Sequence, residues 1–524
     1  MPQAPEAEQV FAGAPRSSST MDQPFVTILP SGARQEFPPG TLLSDALLDM
    51  GVAMKTPCGG RGTCGKCRVR IEDPPGEVLA CRTPVTGDLA VRAEPAGPGP
   101  DTFVPALGPD SRIAAAVDIG TTTVRISLAD ITLGASFEIA SFLNPQRRFG
   151  HDVISRIASA RDPSVRDAMA GLIRRAVRLR LGNALAAAGR TMGSLEAVAF
   201  SGNTTMLYLA LGLDVKPLGR YPYTAGTRDF TGLSAEIAGL AADSPAQVRA
   251  LPVLSAFIGA DLIGSLTLCH DAGHTRNTFF IDLGTNGELF CLDNRGRIFA
   301  TSCAMGPALE GMNISWGMTA EEGAITHARQ TTDGLSRDMI GEGEPAGITG
   351  TALIDVLAIL LDRGIVSCSG AFSPDMDAMK LPAPLKPISD EGSRALGLWG
   401  AVRLTQRDVR NVQLAKAASL SASWFLLHAA DVRPEDITRV CVAGALGEHV
   451  DMGHFRRLGF IPDFPNAVFE YLGNTSLRAA EQACLDPGFV QRAGTLRERA
   501  REVVLSEQKG FQDMFIRSLG FPAG

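Results

Sequence analysis

The chain has 524 residues, 45% hydrophobic and 20% charged, with 49 Lys and Arg against 56 Asp and Glu and a net charge of −7. That length exceeds what one hydrophobic core holds and predicts roughly two to four domains. The acidic balance, with no basic run interleaved with aromatics, argues against nucleic-acid binding, and the longest apolar stretch, Val253 to Cys269, is broken by Asp261, which argues against a membrane span.

Residues 1–23 are rich in Ala, Pro, Ser and Glu and lack the apolar segment of a secretory signal. They read as a disordered tail, with Met21 as an alternative start. A first domain is expected over 24–94. Phe25 to Leu29 alternates like a strand, and Pro30-Ser31-Gly32 reads as a turn. Thr41 is placed to cap a short helix through Leu42, Ala46, Leu47 and Met50.

The cysteines come next. Three stand in Pro57-Cys58-Gly59-Gly60-Arg61-Gly62-Thr63-Cys64-Gly65-Lys66-Cys67, and Cys81 follows. Four thiolates ligate a [2Fe–2S] cluster, whose sulfides accept backbone N–H bonds. Gly59, Gly60, Gly62 and Gly65 let the backbone approach that closely. The blander alternative is structural zinc, which usually takes two short C-x-x-C pairs. Here only Cys64 and Cys67 make such a pair, so iron–sulfur is the reading preferred. Strand, turn, strand, helix and cysteine loop, in that order, resemble a plant-type ferredoxin domain, a β-grasp fold. Cys81 comes sooner after Cys67 than in that class.

From 95 to 111 the chain carries Pro95, Pro98, Pro100, Pro105 and Pro109, which predicts a stiff linker. Beyond it, Ile113 to Val117 is an apolar strand that runs into Asp118-Ile119-Gly120-Thr121-Thr122-Thr123. The plan returns at Phe280-Ile281-Asp282-Leu283-Gly284-Thr285-Asn286-Gly287. A glycine turn exposes N–H groups, hydroxyls add donors for phosphate, and a strand-end Asp can hold Mg²⁺ through water. One copy is no better than an ordinary turn, but a repeat predicts two related lobes facing a cleft. A third strand and glycine turn, Arg439 to Ala443 with Gly444-Ala445-Leu446-Gly447, stands where adenosine would rest.

Two phosphate loops and an adenosine loop in this order resemble the acetate and sugar kinase/Hsp70/actin (ASKHA) superfamily, with lobes over 112–255 and 256–524. A ferredoxin domain ahead of that fold resembles the reductive activators of corrinoid proteins. Other stretches fit that family: Asn144-Pro145-Gln146, Asp152 to Ile157, Gly202-Asn203-Thr204-Thr205-Met206, Cys303 to Gly311, Gln413-Leu414-Ala415-Lys416 and Gly473-Asn474. Three departures stand out. Longer members carry a middle domain before the first phosphate loop, whereas this chain goes almost directly to Asp118. The family's Gly-x-x-Gly-Ser-Gly stretch is Gly347-Ile348-Thr349-Gly350-Thr351-Ala352 here, and Ala445-Leu446 replaces a Gly-Phe pair.

The resemblance implies a multidomain α/β chain in which Cys58, Cys64, Cys67 and Cys81 hold the cluster. Asp118, Gly120 to Thr123, Asp282, Gly284 to Gly287 and Gly444 to Gly447 would hold ATP and Mg²⁺. Asp261 lies where sugar kinases place a catalytic aspartate, although a helix cap is the commoner use of such a residue. The implied activity is ATP-driven, one-electron reduction of an inactive Co(II) corrinoid to Co(I). The implied partners are a corrinoid protein or corrinoid-dependent methyltransferase and an electron-donating reductant, with room for a homodimer through the ASKHA domain. The rival readings are an ATP-dependent donor to another low-potential metalloenzyme and a nucleotide-gated redox sensor without turnover.

Thr405 to Leu427 puts Val409, Val412, Leu420, Trp424 and Leu427 on one helical face, with Thr405 as cap and Gln413 and Lys416 as polar contacts to the nucleotide. His151, His449 and His454 look isolated, and no His–Glu spacing points to a second metal. Cys269, Cys291, Cys303, Cys368, Cys441 and Cys484 have no framework spacing and read as buried thiols in a reducing cytoplasm.

Overall fold

A computed structural model of the chain describes residues 23–52, 54, 62, 67–92, 107–108, 110–242, 244–332, 334–379, 381–390, 392–444, 446–447 and 449–523. Cys58, Cys64, Ala445, the tail and most of the expected linker lie outside the described residues. Contacts divide the chain between Gly97 and Pro98 into two units.

In the first unit, alternation makes β1 (Phe25–Leu29), and the turn after it returns the chain as β2 (Ala33–Glu36). β3 (Arg68–Asp73), β4 (Pro75–Leu79) and β5 (Leu89–Arg92) complete a sheet of order β2-β1-β5-β3-β4. Only β1 and β5 run parallel. Val26 and Ile28 point to one face and pack with Phe37, Leu43, Leu47, Ile71 and Val91 under the helix Leu43–Asp49. This is the β-grasp fold. Thr41 does not cap that helix. Its hydroxyl donates to the Pro38 carbonyl at 2.7 Å, and Leu42 stands at the cap without a side-chain bond. Backbone pairing fixes the helix start instead, through Leu43 N to Thr83 O at 2.8 Å and Val85 N to Thr41 O at 2.7 Å.

The second unit holds two sheets built to one plan. In the first lobe β6 (Ile113–Ile119), β7 (Thr123–Asp130) and β8 (Ala135–Leu143) form an antiparallel meander. β9 (Leu195–Gly202) joins β6 in parallel and β10 (Gln247–Ala250) joins β9. In the second lobe β11 (Thr278–Leu283), β12 (Gly287–Leu292) and β13 (Ile298–Cys303) repeat the meander. β14 (Arg439–Ala443) joins β11 in parallel, β15 (Val468–Gly473) joins β14, and β16 (Ala500–Glu502) joins β13. β6 is buried at every residue, as a central strand covered on both faces must be.

The lobes interlock. The helix Thr475–Leu485, which follows β15, packs on β6 and β9, and the helix Ala260–Asp271 packs on it. Their apolar faces join one core with Val117, Val198 and Phe280. A second core fills the outer side of the second lobe around the helices Gly350–Asp362 and Gln406–Ala430.

Thr405 caps the latter helix with a reciprocal bond to Asp408, as expected. Its buried face differs from expectation. Trp424 is 38% exposed, whereas Ala415, Ala418, Ala422 and Leu426 are buried beside Val409 and Val412. Gln413 and Lys416 do not reach a nucleotide. Gln413 Nε2 donates to the Leu519 carbonyl at 2.9 Å, and Lys416 Nζ donates to the carbonyls of Ser518, at 2.6 Å, and Gly520. Both tie down the C-terminal segment.

Candidate functional site

The repeated hairpins place their aspartates at matching points. Asp118, one residue before the end of β6, pairs with Arg125 across its hairpin and with Ser201 on β9. Asp282, one residue before the end of β11, pairs with Glu288 and with Ala443 on β14. Both line a cleft of about 780 Å³ that also takes in Gly120, Thr121, Thr122, Thr123, Asp261, Gly284, Thr285, Asn286, Gly444 and Leu446. Two predicted positions do not line it. Gly287 is a packing glycine, since a Cβ there would lie 2.7 Å from the Met305 sulfur. Gly447 is buried, and a Cβ there would lie 2.6 Å from the Ala443 carbonyl.

Close approach explains two glycines that do face the cleft. A Cβ on Gly120 would sit 2.4 Å from the Thr123 carbonyl. Gly444 has φ +91°, and a Cβ on it would sit 2.5 Å from Asp282 Oδ1. The loop after β14 can therefore lie against the Asp282 carboxylate at the end of β11.

Side chains from distant segments hold these groups. Asp118 accepts from Ser476 Oγ at 2.6 Å and from Asn474 Nδ2 at 3.0 Å. Asn203 Nδ2 donates to Thr121 Oγ1 at 2.9 Å. Glu310 joins the two hairpin loops: it accepts from Thr122 at 2.8 Å and from Thr285 at 2.7 Å. Asp261 is not the helix cap, because Gly259 holds that position. Asp261 sits in the first turn, takes the Leu262 N–H at 2.8 Å and borders the cleft.

Four acids thus converge: Asp118 and Glu288 are buried, and Asp261 and Asp282 are half-buried at the cleft wall. Burial raises the Asp118 carboxyl above its ordinary range, against the pull of its bonds from Ser476 and Asn474. Burial and the neighbouring Asp118 push Asp261 up to about 7. Burial, then Asp261 and Asp118, push Asp282 up to about 7. Burial, then Asp261 and Asp282, raise Glu288 well above its ordinary range. Mutual repulsion in an oxygen-rich pocket is the setting a hard divalent cation relieves, so the donor set fits Mg²⁺.

A pH dependence follows. A carboxyl whose folded pKa lies above its unfolded value binds more protons when folded, so stability falls as pH rises from about 4 to about 7. Ionised carboxylates bind the cation, and protonated ones do not. Added Mg²⁺ is expected to raise Tm by several degrees at pH 8 and by much less at pH 5, read by calorimetry. An equal increment at both pH values would place the ion elsewhere.

Sequence reasoning gave no role to Glu288, Glu310, Asn474 or Ser476. Asn474 and Glu310 lay in quoted stretches without an assigned role, and nothing local marks Ser476. The histidines also differ from expectation. His454 Nδ1 lies 2.8 Å from Asp355, which also meets His327 Nδ1 at 3.0 Å, so His454 is not isolated. His327 and His449 border the cleft.

In the first unit, Cys67 precedes β3 and Cys81 lies in the turn after β4. The β3–β4 pairing therefore brings their sulfurs to 3.2 Å, both buried and without a disulfide. Two thiols aimed at one point fit an iron ligand pair.

Fold and site together define a ferredoxin domain followed by an ASKHA-type cleft. Residues 26–86 match the 2Fe-2S iron-sulfur cluster binding domain, 113–270 the RACo middle region, and 276–524 the C-terminal domain of RACo, the ASKHA domain. The chain belongs to the RACo family. The second match spans the segment read from sequence as the first lobe, together with the start of the second. The corrinoid activation enzyme RamQ of Eubacterium limosum is 31% identical over 372 residues, 68% of this chain and 62% of that protein. The [Co(II) methylated amine-specific corrinoid protein] reductase of Methanosarcina barkeri is 26% identical over 313 residues, 55% of this chain and 54% of that one. The chain thus spans less than two thirds of the length of either relative. A solved structure, "Reductive activator for corrinoid,iron-sulfur protein", shares the fold with TM-score 0.70 and 24% identity over 95% of this chain and 98% of that one.

Proposed function

We propose that the protein is an ATP-dependent reductive activator that returns an inactive Co(II) corrinoid to Co(I) by passing it one electron. One observation carries this reading: a paired-thiol ferredoxin unit and a cleft walled by five acids and two hydroxyl loops belong to a single chain. The two relatives named for corrinoid activation and Co(II) corrinoid reduction support it.

Cys58, Cys64, Cys67 and Cys81 would hold a [2Fe–2S] cluster, which supplies a one-electron couple near roughly −400 mV in plant-type centres. In the cleft, the N–H groups and hydroxyls of Gly120 to Thr123 and Gly284 to Asn286 would bind phosphate oxygens. Asp118 and Asp282 would hold Mg²⁺, and Gly444 and Leu446 would border the adenosine. Asp261, poised near neutral pH, would orient the water that attacks the γ-phosphate. Phosphate entering between Thr122 and Thr285 would displace Glu310 from both hydroxyls. A nucleotide that favours one arrangement of the lobes shifts their balance by its differential affinity, and that difference is available to an uphill electron transfer. The partners are then a corrinoid protein and an electron-donating reductant. The eight described cysteines form no disulfide, which supports a reducing cytoplasm. Among the described residues no helix is long and apolar enough to cross a membrane.

The test is optical. Mixed with a Co(II) corrinoid protein, a reductant and Mg-ATP, the protein is expected to produce the Co(I) spectrum at least tenfold faster than without ATP. Equal rates with and without ATP, or no Co(I) at all, would remove this reading.

A further inference from the structure

The cleft leaves one cluster of metal-type side chains unused. Cys441 lies in the middle of β14, and its partner on β15 is Glu470, so the two side chains leave one face of the sheet. The helix Ala260–Asp271 ends beside them. Its last turn carries Cys269, and the chain then folds back, with His274 N–H on the Cys269 carbonyl at 2.9 Å. Cys441 Sγ, an imidazole nitrogen of His274 and a Glu470 carboxylate oxygen lie within 4.8 Å of one another. His274 Nε2 is 3.1 Å from Glu470 Oε2. The Cys269 thiol lies beside that of Cys441, outside the 4.8 Å group.

We propose that Cys269, His274, Cys441 and Glu470 form a structural zinc site. Two thiolates, an imidazole and a carboxylate make a four-coordinate set that suits Zn²⁺ and not Mg²⁺ or Ca²⁺. The spacing agrees. Tetrahedral bonds of about 2.0–2.1 Å put neighbouring N and O ligands roughly 3.3 Å apart, near the 3.1 Å found here. The bland alternative is a salt bridge beside two buried thiols, since Glu470 also pairs with Arg439. Arg439 holds Oε1, however, and leaves Oε2 to the imidazole, within the group that includes the Cys441 sulfur. A partner on the second carboxylate oxygen is what orients a ligating carboxylate. The thiols are buried, while the His274 and Glu470 side chains are 15% and 32% exposed, so an ion can reach the site from the surface.

The location gives the ion a task. β14 leads to Gly444, β15 leads to Asn474 and its bond to Asp118, and the helix begins beside Asp261. One ion would bind together the three elements that deliver these groups to the cleft. The site is independent of the corrinoid reading.

The experiment is metal analysis and zinc K-edge absorption on the whole protein with its full complement of iron. Expected are one zinc per chain besides the iron, and a first shell of two sulfurs at about 2.3 Å and two N or O at about 2.0–2.1 Å. His274→Ala and Glu470→Gln, both at the surface end, should each lower zinc affinity at least tenfold against a chelator and leave iron unchanged. Cys269→Ser and Cys441→Ser should do the same, and the surface pair carries the test if these fail to fold. Three results would overturn the proposal: no zinc uptake by iron-replete protein, unchanged affinity in the surface variants, or zinc that appears only as iron is lost. A Cys269–Cys441 disulfide in natively isolated protein would also overturn it.

Discussion

Asp282→Asn is expected to abolish ATP-dependent formation of Co(I), by about 100-fold or more, the scale on which a single preorganised charge partner acts. The change is close to isosteric, which matters because Gly444 lies against this carboxylate. Asp282 is raised to about 7 by burial and by Asp261 and Asp118, so at pH 8 its charge works against the fold. Neutral Asn relieves that repulsion. The variant should therefore unfold no earlier than the parent at pH 8, and lost activity could not be blamed on misfolding. What it gives up is attraction for Mg²⁺. Iron content and electron uptake from an artificial donor should be unchanged, because Cys67 and Cys81 belong to the other unit. If the variant activates the corrinoid partner at the parent's rate, either Asp282 is only a turn residue or ATP is not the driver. Mg-ATP titration then separates the two: normal affinity indicates the plain turn, and lost affinity with normal activation shows that ATP is dispensable.

The legible parts of the chain were those whose signal is local. β1 and the two hairpins announce themselves within a dozen residues, because an apolar run, an acid, a glycine and hydroxyls follow in register. Asp118, Asp282 and both threonine loops were found that way. Ser476 and Glu310 were not. They reach Asp118 and Thr122 across sequence separations of 358 and 188 residues, through a helix that crosses between lobes and a turn beyond β13. Local rules also failed where the backbone already had a partner. Thr41 is a good cap by composition, yet pairing of the neighbouring backbone with Thr83 and Val85 fixes the helix start. Trp424 shows the limit of periodicity. At 3.6 residues per turn it lies about 60° around the helix from Val409, at the edge of the apolar stripe. Gln413 and Lys416 are polar residues inside a core-facing helix, and backbone carbonyls of the last residues satisfy them without any ligand. Cys269 and Cys441 carry no spacing signal at all, since only the packing of a helix end on β14 brings them together.

Cys81→Ala should separate the two halves of the proposed reaction in the opposite sense. Cys81 is buried in the turn after β4, its sulfur 3.2 Å from that of Cys67. Alanine removes one thiolate of the four that a [2Fe–2S] cluster requires. Purified parent protein is expected to be brown, with two irons per chain and a rhombic EPR signal after one-electron reduction. The variant should lose the colour, the iron and all Co(II) reduction. Its nucleotide cleft should be unaffected, because every group that lines it lies in the second unit. Mg-ATP affinity should stay within about twofold of the parent, a difference of roughly 0.4 kcal/mol. The gain in Tm from Mg²⁺ at pH 8 should persist as well. Loss of both iron and ATP binding would mean that the cysteine unit and the cleft fold as one body. Retention of two irons would show that Cys81 is not a ligand, and stoichiometric zinc with no iron in anaerobically prepared parent protein would end the electron-transfer account altogether.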